Sequence, residues 1–283
     1  MVAFTVWQAR GADEHWNNPP KGKLTAGLEH GVFHSAAMGV EVGYNIYLPP
    51  DYAKGDHRYP VVYYLHGLEG DESSYLDYAR ILSDGIRNKL VTPMILVFVN
   101  GGKTSFFSDS ADGKVLAETA VIKELIPHID QTYRTVATRE GRAVHGFSMG
   151  GFGALKLGFK YPELFSSVVA YGAVLPQADE LREKSGKIFK ATFGDSKPIF
   201  DQSDPIKLAQ RNADKIRDHL AIRIVLGNKD ELLELNRRTN DQLEQLKIPH
   251  EYMELPGVNH RKEILYDRAA LSAFRFTAAN FAK

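Results

Sequence analysis

Short apolar runs alternate with amphipathic segments through most of the chain after residue 58, and this alternation is the strongest constraint on the fold. The runs are rich in β-branched and aromatic residues, and each is followed by glycine or a polar residue; four of them are YPVVYYL, MILVFV, GRAVHGF and FSSVVAY. Such runs are typical of strands buried on both faces, and the segments between them have helical spacing. The pattern predicts an α/β fold with a mostly parallel, twisted sheet and helices on both faces.

Composition and spacing predict one folded domain preceded by an arm. Of the 283 residues, 43% are hydrophobic, which is enough for a single large core. Residues 1–27 contain many Asn, Pro, Gly and Lys residues and predict an irregular arm, whereas residues 28–283 predict the domain. The more polar residues 175–220 predict a helical insertion, with helices over 178–187 and 205–219. The insertion is either a cap over a pocket or ordinary helical packing, and the sequence leaves both open.

Three chemically reactive side chains follow predicted strands. Ser148 comes directly after GRAVHGF, Asp230 follows AIRIVLGNK, and His260 follows HEYMELPGVN. Because the carboxyl ends of parallel strands meet at one edge of a sheet, we expect these side chains to lie close together. The strand that carries Asp230 is also the one that follows the helical insertion.

The pentapeptide GFSMG places Ser148 in a G-x-S-x-G motif between a predicted strand and a predicted helix. In that setting the serine occupies a tight, strained turn that exposes its hydroxyl above the sheet. Glycines on either side let neighbouring backbone approach without a Cβ clash. The turn also directs the N–H of Met149, at the start of the helix, toward the space beside the hydroxyl, where it can stabilise an oxyanion.

A serine hydroxyl becomes a good nucleophile when a base removes its proton. His260 is the predicted base, and Asp230 is the predicted acid that orients the imidazole and stabilises its protonated form. Glu231 is the alternative acid, but its side chain is expected to point away. The chain order Ser148, Asp230, His260 is that of the α/β-hydrolase fold.

The loop LHGLEGDES, after the third predicted strand, is expected to supply the second oxyanion donor. We predict the backbone N–H of Leu68 in this role and a structural role for His66, which braces the loop. Glu69, Phe106 and Phe107 are candidates for the substrate pocket. For the two phenylalanines, lining an acyl pocket and packing their own loop are equally supported.

Charge and composition exclude several classes of function. Lys+Arg and Asp+Glu both number 35, so the chain has no basic excess to bind nucleic acid or an anionic membrane. It has no cysteine, which excludes disulfides, thiolate metal sites and a cysteine nucleophile. We predict no metal and no cofactor. The partner expected is a small-molecule or oligosaccharide ester, and the oligomeric state stays open.

The first residues, MVAFTVWQARGADEHW, contain no basic segment followed by an apolar run, and no stretch is apolar enough to span a membrane. The sequence as given therefore predicts a cytoplasmic protein. A secreted protein whose signal has been removed would have the same pattern.

Several stretches together resemble an esterase family of α/β-hydrolases. That family contains the feruloyl and acetyl-xylan esterases of carbohydrate esterase family 1, S-formylglutathione hydrolase (esterase D), enterochelin esterases and mycolyltransferases. The resemblance covers residues 28–283 and rests on YNIYLPPDY, YPVVYYLHGLEGDESSY, KTSFFSDS, ELIPHIDQTYRT, GFSMGGFGALKLGFKYPELF and VNHRKE.

The resemblance implies a triad of Ser148, Asp230 and His260, with Leu68 and Met149 forming the oxyanion hole. It further implies a serine carboxylesterase that acts on feruloyl or acetyl esters of plant polysaccharide sugars. The loop LHGLEGDESSY is similar to the feruloyl-esterase type, although Glu69 stands where many such enzymes have a small residue. A thioesterase like S-formylglutathione hydrolase or an acyltransferase is the alternative, although the lack of cysteine counts against the former. A binding protein without catalysis is the alternative from another class.

Overall fold

A computed structural model describes residues 16–22 and 24–281 of the chain. Eight strands form one sheet: β1 Leu28–Ser35, β2 Val40–Tyr47, β3 Val61–Leu65, β4 Ile95–Val99, β5 Arg142–Phe147, β6 Ser167–Tyr171, β7 Ala221–Gly227 and β8 Glu251–Leu255. Their order across the sheet is β1-β2-β4-β3-β5-β6-β7-β8. β2 pairs antiparallel with β1 and β4, and all other neighbours are parallel. This is the α/β-hydrolase fold that the sequence predicts.

Helices cover both faces of the sheet. The helical segments are α1 Asp77–Arg87, α2 Ala117–Thr119, a π-helical segment Ala120–Leu125, α3 Ile126–Thr132, α4 Met149–Lys160, α5 Ala178–Phe193, α6 Lys197–Asp201, α7 Pro205–His219, α8 Leu233–Gln245 and α9 Lys262–Asn280. α1 and α9 pack together on one face, and α4 packs with α7 on the other. None of the helices within the described residues is long and apolar enough to span a membrane.

The alternation of side chains along β3 separates the core into two layers. Val61, Tyr63 and Leu65 face the layer that includes α4, whereas Val62 and Tyr64 face the layer of α1 and α9. All five are buried, as the uninterrupted apolar run predicts for a central strand. The sheet is therefore covered on both faces, and its carboxyl edge is the place where loops can build a site.

Pro127 lies in a helix that continues through it. The π-helical segment Ala120–Leu125 directly precedes α3, in which Pro127 occupies the first turn. Proline has no N–H and its ring clashes with the carbonyl four residues earlier, so a regular α-helix cannot run unchanged into it. The wider π turn absorbs this mismatch without breaking the helix.

The predicted insertion consists of α5, α6 and α7. α5 extends beyond the predicted helix, and α6 was not predicted. α7 packs against α4, with Leu208, Ala209 and Ile216 buried in the same core layer. The role of 175–220 as a cap stays a prediction.

Part of the predicted arm is visible. Residues 16–22 form no helix or strand, and Trp16 accepts a hydrogen bond from Gly43 in β2 through its carbonyl oxygen. Residues 1–15 and 23 lie outside the described residues.

Candidate active site

Ser148 lies in a strained turn between β5 and α4. Its backbone angles are φ +58° and ψ −115°, a combination that few residues other than glycine adopt. A Cβ at Gly146 would lie 2.0 Å from the carbonyl oxygen of Gly150, and a Cβ at Gly150 would lie 2.0 Å from that of Leu65. Glycine is therefore required at both positions for the turn to close against β3.

The structure brings Ser148, His260 and Asp230 into one hydrogen-bonded chain. The Oγ of Ser148 lies 3.0 Å from Nε2 of His260, and Nδ1 of His260 lies 2.9 Å from Oδ2 of Asp230. The Asp230 side chain is fully buried, whereas that of His260 is 20% exposed. The geometry is that of a nucleophile, a base and an orienting acid, with the base accessible from solvent.

Two contacts join the loops that carry the acid and the base. The N–H of Lys229 donates to the carbonyl of Val258, and the N–H of Gly257 donates to the side chain of Asn228. The other carboxylate oxygen of Asp230 accepts the N–H of Leu232. The loops after β7 and β8 are thus held together, which places the acid against the base before any ligand arrives.

Glu231 is exposed, and Asp230 is the carboxylate that contacts the imidazole. Asp230, Glu231 and His260 are also the one group among the described residues that brings three potential metal-ligand atoms within 4.8 Å of one another. Both imidazole nitrogens are already engaged, Nδ1 by Asp230 and Nε2 by Ser148. The arrangement therefore suits proton transfer better than metal binding.

The two predicted oxyanion donors belong to segments next to the serine: Met149 follows it, and a Cβ at Gly67, the residue before Leu68, would lie 3.5 Å from the Cβ of Ser148. Within residues 16–22 and 24–281, neither the N–H of Leu68 nor that of Met149 donates a hydrogen bond. Two backbone hydrogen bonds hold the turn that contains Leu68. The N–H of Glu69 donates to the carbonyl of Lys103, and the N–H of Gly70 donates to the carbonyl of Gly67. Two free N–H groups beside a nucleophile are what an oxyanion hole needs.

His66 connects the loops after β3 and β4. Its Nδ1 lies 2.8 Å from the carbonyl oxygen of Gly67, and its Nε2 lies 3.2 Å from the N–H of Gly101. Nδ1 therefore carries the proton and donates, while Nε2 accepts. Burial lowers the pKa of His66 to about 4, so the imidazole stays neutral and keeps both bonds. This bracing is the structural role expected for it.

The three pocket candidates differ in their exposure. Phe107 is fully buried against Gly101 and Gly153, and Phe106 is 3% exposed and packs on the ring of Phe152. Their burial favours packing of the loop over lining of an acyl pocket. Glu69 is exposed, so its side chain lies at the surface of the oxyanion turn.

A buried ion pair between α2 and α4 was not predicted. Lys156 of α4 is fully buried, with its amine 2.5 Å from the carboxylate of Glu118, and it also donates to the carbonyl of Phe107 and to Ser108. Burial lowers the pKa of Lys156, and Glu118 opposes that effect. A single lysine within the apolar run GGFGALKLGF was the available signal, because such a residue needs a buried partner.

The chain is similar to known esterases. A family model described as "Putative esterase" matches residues 35–275. The chain is 31% identical to Esterase Rv1288 of Mycobacterium tuberculosis, with 80% of this chain and 54% of that protein covered. It is 32% identical to Endo-1,4-beta-xylanase/feruloyl esterase of Xylanibacter ruminicola, with 53% of this chain and 22% of that protein covered. The chain thus spans about half the length of the first relative and less of the second.

The solved structure of a ferulic acid esterase has the same fold. It superposes with a TM-score of 0.78 over 90% of this chain and 98% of that one, at 21% identity. A likeness at this level of identity shows the fold alone.

Proposed function

The chain belongs to the esterase family whose model it matches over residues 35–275, and on that premise we propose that it is a serine ester hydrolase. The observation that carries the proposal is the hydrogen-bonded chain from Ser148 through His260 to Asp230 at the carboxyl edge of the sheet. The proposed catalytic residues are these three.

In the first half of the reaction, the Oγ of Ser148 attacks the ester carbonyl carbon while its proton passes to Nε2 of His260. The carbonyl oxygen becomes an oxyanion and accepts hydrogen bonds from the N–H groups of Leu68 and Met149. Asp230 stabilises the imidazolium through Nδ1. When the tetrahedral intermediate collapses, His260 returns the proton to the leaving alcohol, and the acyl group stays on Ser148.

In the second half, a water molecule takes the place of the alcohol. His260 removes its proton as it attacks the acyl carbon, and a second oxyanion forms in the same hole. Collapse releases the carboxylic acid and returns the proton to Ser148. The cycle needs no external reductant, oxidant or cofactor.

We propose feruloyl (hydroxycinnamoyl) or acetyl esters of plant polysaccharide sugars as substrates. The feruloyl esterase name of the Xylanibacter relative and the loop LHGLEGDESSY support this class. An S-formylglutathione hydrolase-like thioesterase, or transfer of the acyl group to an acceptor alcohol, would use the same triad.

The decisive experiment compares turnover of methyl ferulate, p-nitrophenyl acetate and S-formylglutathione by the wild type and by Ser148→Ala. We expect hydrolysis of an ester by the wild type and a loss of several orders of magnitude in kcat in the variant. Hydrolysis of acetyl but not feruloyl esters would refute the feruloyl proposal alone. Retained turnover in Ser148→Ala would refute the nucleophile.

A fluorophosphonate probe separates the enzyme from a non-catalytic hydrolase fold. We expect the probe to label Ser148 in the wild type and to leave Ser148→Ala unlabelled. Absence of labelling and of turnover in the folded wild type would favour the binding-protein alternative. An added acceptor alcohol that yields a new ester would show acyl transfer.

A further inference from the structure

Tyr75 ends the loop that follows β3 and has a strained backbone. Its φ is +68°, in the left-handed region that bulky aromatic residues rarely occupy. The residue lies immediately before Leu76, which caps the start of α1. Strain of this kind persists only where surrounding contacts hold it, and it is concentrated at functional sites.

The hydroxyl of Tyr75 contacts the turn that holds the proposed oxyanion donor. Burial raises the pKa of the Tyr75 hydroxyl, and the backbone of Gly67 lies close enough to the hydroxyl to oppose this larger effect. A Cβ at Gly67 would lie 2.9 Å from that hydroxyl oxygen and 3.5 Å from the Cβ of Ser148. The tyrosine hydroxyl and the side chain of Ser148 therefore both lie against the Cβ position of the same glycine, one residue before Leu68.

The ring of Tyr75 is held from two sides. It packs edge-on against the ring of Phe147, with centroids 5.8 Å apart, and the amine of Lys262 lies 4.3 Å from its centroid. Phe147 directly precedes the nucleophile, and Lys262 begins α9 two residues after His260. The position of the tyrosine thus depends on the segments that carry the nucleophile and the base.

We propose that Tyr75 is a positioning residue for the oxyanion hole. Its hydroxyl packs against Gly67 on the side that faces Ser148, and this contact restricts the following peptide, whose N–H belongs to Leu68. The strained backbone is the local cost of bringing the hydroxyl back over the turn. The inference rests on the proposed function, because it assigns a task to the oxyanion turn.

Positioning of this kind acts on the transition state more than on the bound substrate. The carbonyl oxygen of an ester accepts weak hydrogen bonds, whereas the oxyanion that forms from it accepts strong ones. If loss of the hydroxyl lets the turn move, the N–H of Leu68 is misplaced, which lowers kcat and leaves KM nearly unchanged.

The test is the variant Tyr75→Phe, which removes the hydroxyl and keeps the ring. Its matched control is Tyr63→Phe, which removes a buried hydroxyl from β3, the strand that leads into the same loop. The measurements are kcat and KM for p-nitrophenyl acetate, the thermal midpoint, and the Kd of phenylboronic acid, whose adduct with serine resembles the tetrahedral intermediate.

We expect kcat of Tyr75→Phe to fall about tenfold and the Kd of phenylboronic acid to rise by a similar factor, with KM within about twofold of the wild type. Tyr63→Phe should leave all three values near those of the wild type. Equal behaviour of the two variants, or a change confined to KM, would overturn the role of Tyr75 while the esterase proposal stands. A wild type that hydrolyses no ester would overturn both.

Discussion

The imidazole of His260 lies nearly parallel to the phenyl ring of Phe147, with ring centroids 4.8 Å apart and an interplanar angle of 26°. Phe147 is the last residue of β5 and directly precedes Ser148. The end of one strand therefore leads directly into the proposed nucleophile and also provides the ring that packs against the proposed base. Because Phe147 and Ser148 are adjacent in sequence, movement of this strand end would displace the proposed nucleophile and the ring that supports the proposed base together.

Replacement of Phe147 by leucine should impair catalysis more than stability. Leucine keeps an apolar side chain but offers no flat face to the imidazole, so His260 can rotate away from Ser148. We expect kcat for p-nitrophenyl acetate to fall about tenfold, because small misplacements of reacting groups are costly. Phe33→Leu, at a residue of similar burial in β1, is the control and should keep wild-type kcat. Equal kcat in the two variants would contradict a role for the stacked ring.

Gly172, after β6, lies against the side chains of Asp230 and His260. Its φ is +46°, and a Cβ there would lie 3.1 Å from two ring atoms of His260 and 3.2 Å from Oδ2 of Asp230. We expect Gly172→Ala to separate this pair and lower kcat about a hundredfold. The matched control is Gly186→Ala, because a Cβ at Gly186 meets nothing within 4 Å. Esterase assays of both variants check this, and near-normal kcat in Gly172→Ala would show that the pair tolerates the methyl group.

The parallel arrangement of the strands explains why the catalytic candidates could be predicted from the sequence. Ser148, Asp230 and His260 each follow a strand that the apolar pattern identifies, and parallel strands bring their carboxyl ends to one edge whatever the details of packing. The required glycines of the turn were readable for the same reason, since a serine between a strand and a helix leaves little room for side chains.

The positions of the residues around the site were harder to predict, because they depend on contacts between segments that are far apart in the chain. Phe106 and Phe107 both have positive φ, which turns them into the core, where Lys156 binds the carbonyl of Phe107. A left-handed backbone at an aromatic residue has no sequence signature, and the same holds for Tyr75. The five-residue helix α6 was missed because a single turn carries almost no periodicity.

The buried His145 should make stability depend on pH. Its two ring nitrogens lie 2.8 Å from the hydroxyl of Tyr78 and 2.7 Å from that of Thr277, and burial, with a smaller effect of Arg223, lowers its pKa to about 3. In the unfolded chain an imidazole titrates near about 6.5. Between these values only the unfolded state takes up the proton, so the free energy of unfolding decreases as the pH falls below about 6.5.

From pH 7 to pH 5 this histidine should cost the wild type about 2 kcal/mol of stability. We therefore expect the free energy of unfolding of His145→Gln to decrease by about 2 kcal/mol less than that of the wild type between pH 7 and pH 5, as measured by urea denaturation at both pH values. His57→Gln, which replaces an exposed imidazole, is the control and should retain the wild-type loss. An unchanged pH dependence in His145→Gln would mean that the buried imidazole takes up a proton in the folded state.

The ion pair of Glu118 and Lys156 should make the free energy of unfolding depend on pH. The carboxylate of Glu118 is 8% exposed and also contacts Lys160 and the hydroxyl of Tyr161. Burial opposes its ionisation, but Lys156, Lys160 and Tyr161 together hold its pKa at about 2. Because this value is below that of an unfolded glutamate, the stabilisation is complete above about pH 4.5 and is lost as the pH falls toward 2.

Glu118→Gln should lower the free energy of unfolding at pH 7 by about 3 kcal/mol, because it leaves the Lys156 ammonium buried without its counterion. The double variant Glu118→Gln/Lys156→Met should be at least as stable as Glu118→Gln, since it removes that charge as well. Urea denaturation at pH 6 and pH 3 checks both points, and the difference between the wild type and Glu118→Gln should narrow by about 2 kcal/mol at the lower pH. Asp51→Asn, in an exposed pair with Lys54, is the control and should change stability by less than about 0.5 kcal/mol. A double variant less stable than Glu118→Gln would contradict this interaction between Glu118 and Lys156, because at independent sites Lys156→Met would add its own cost.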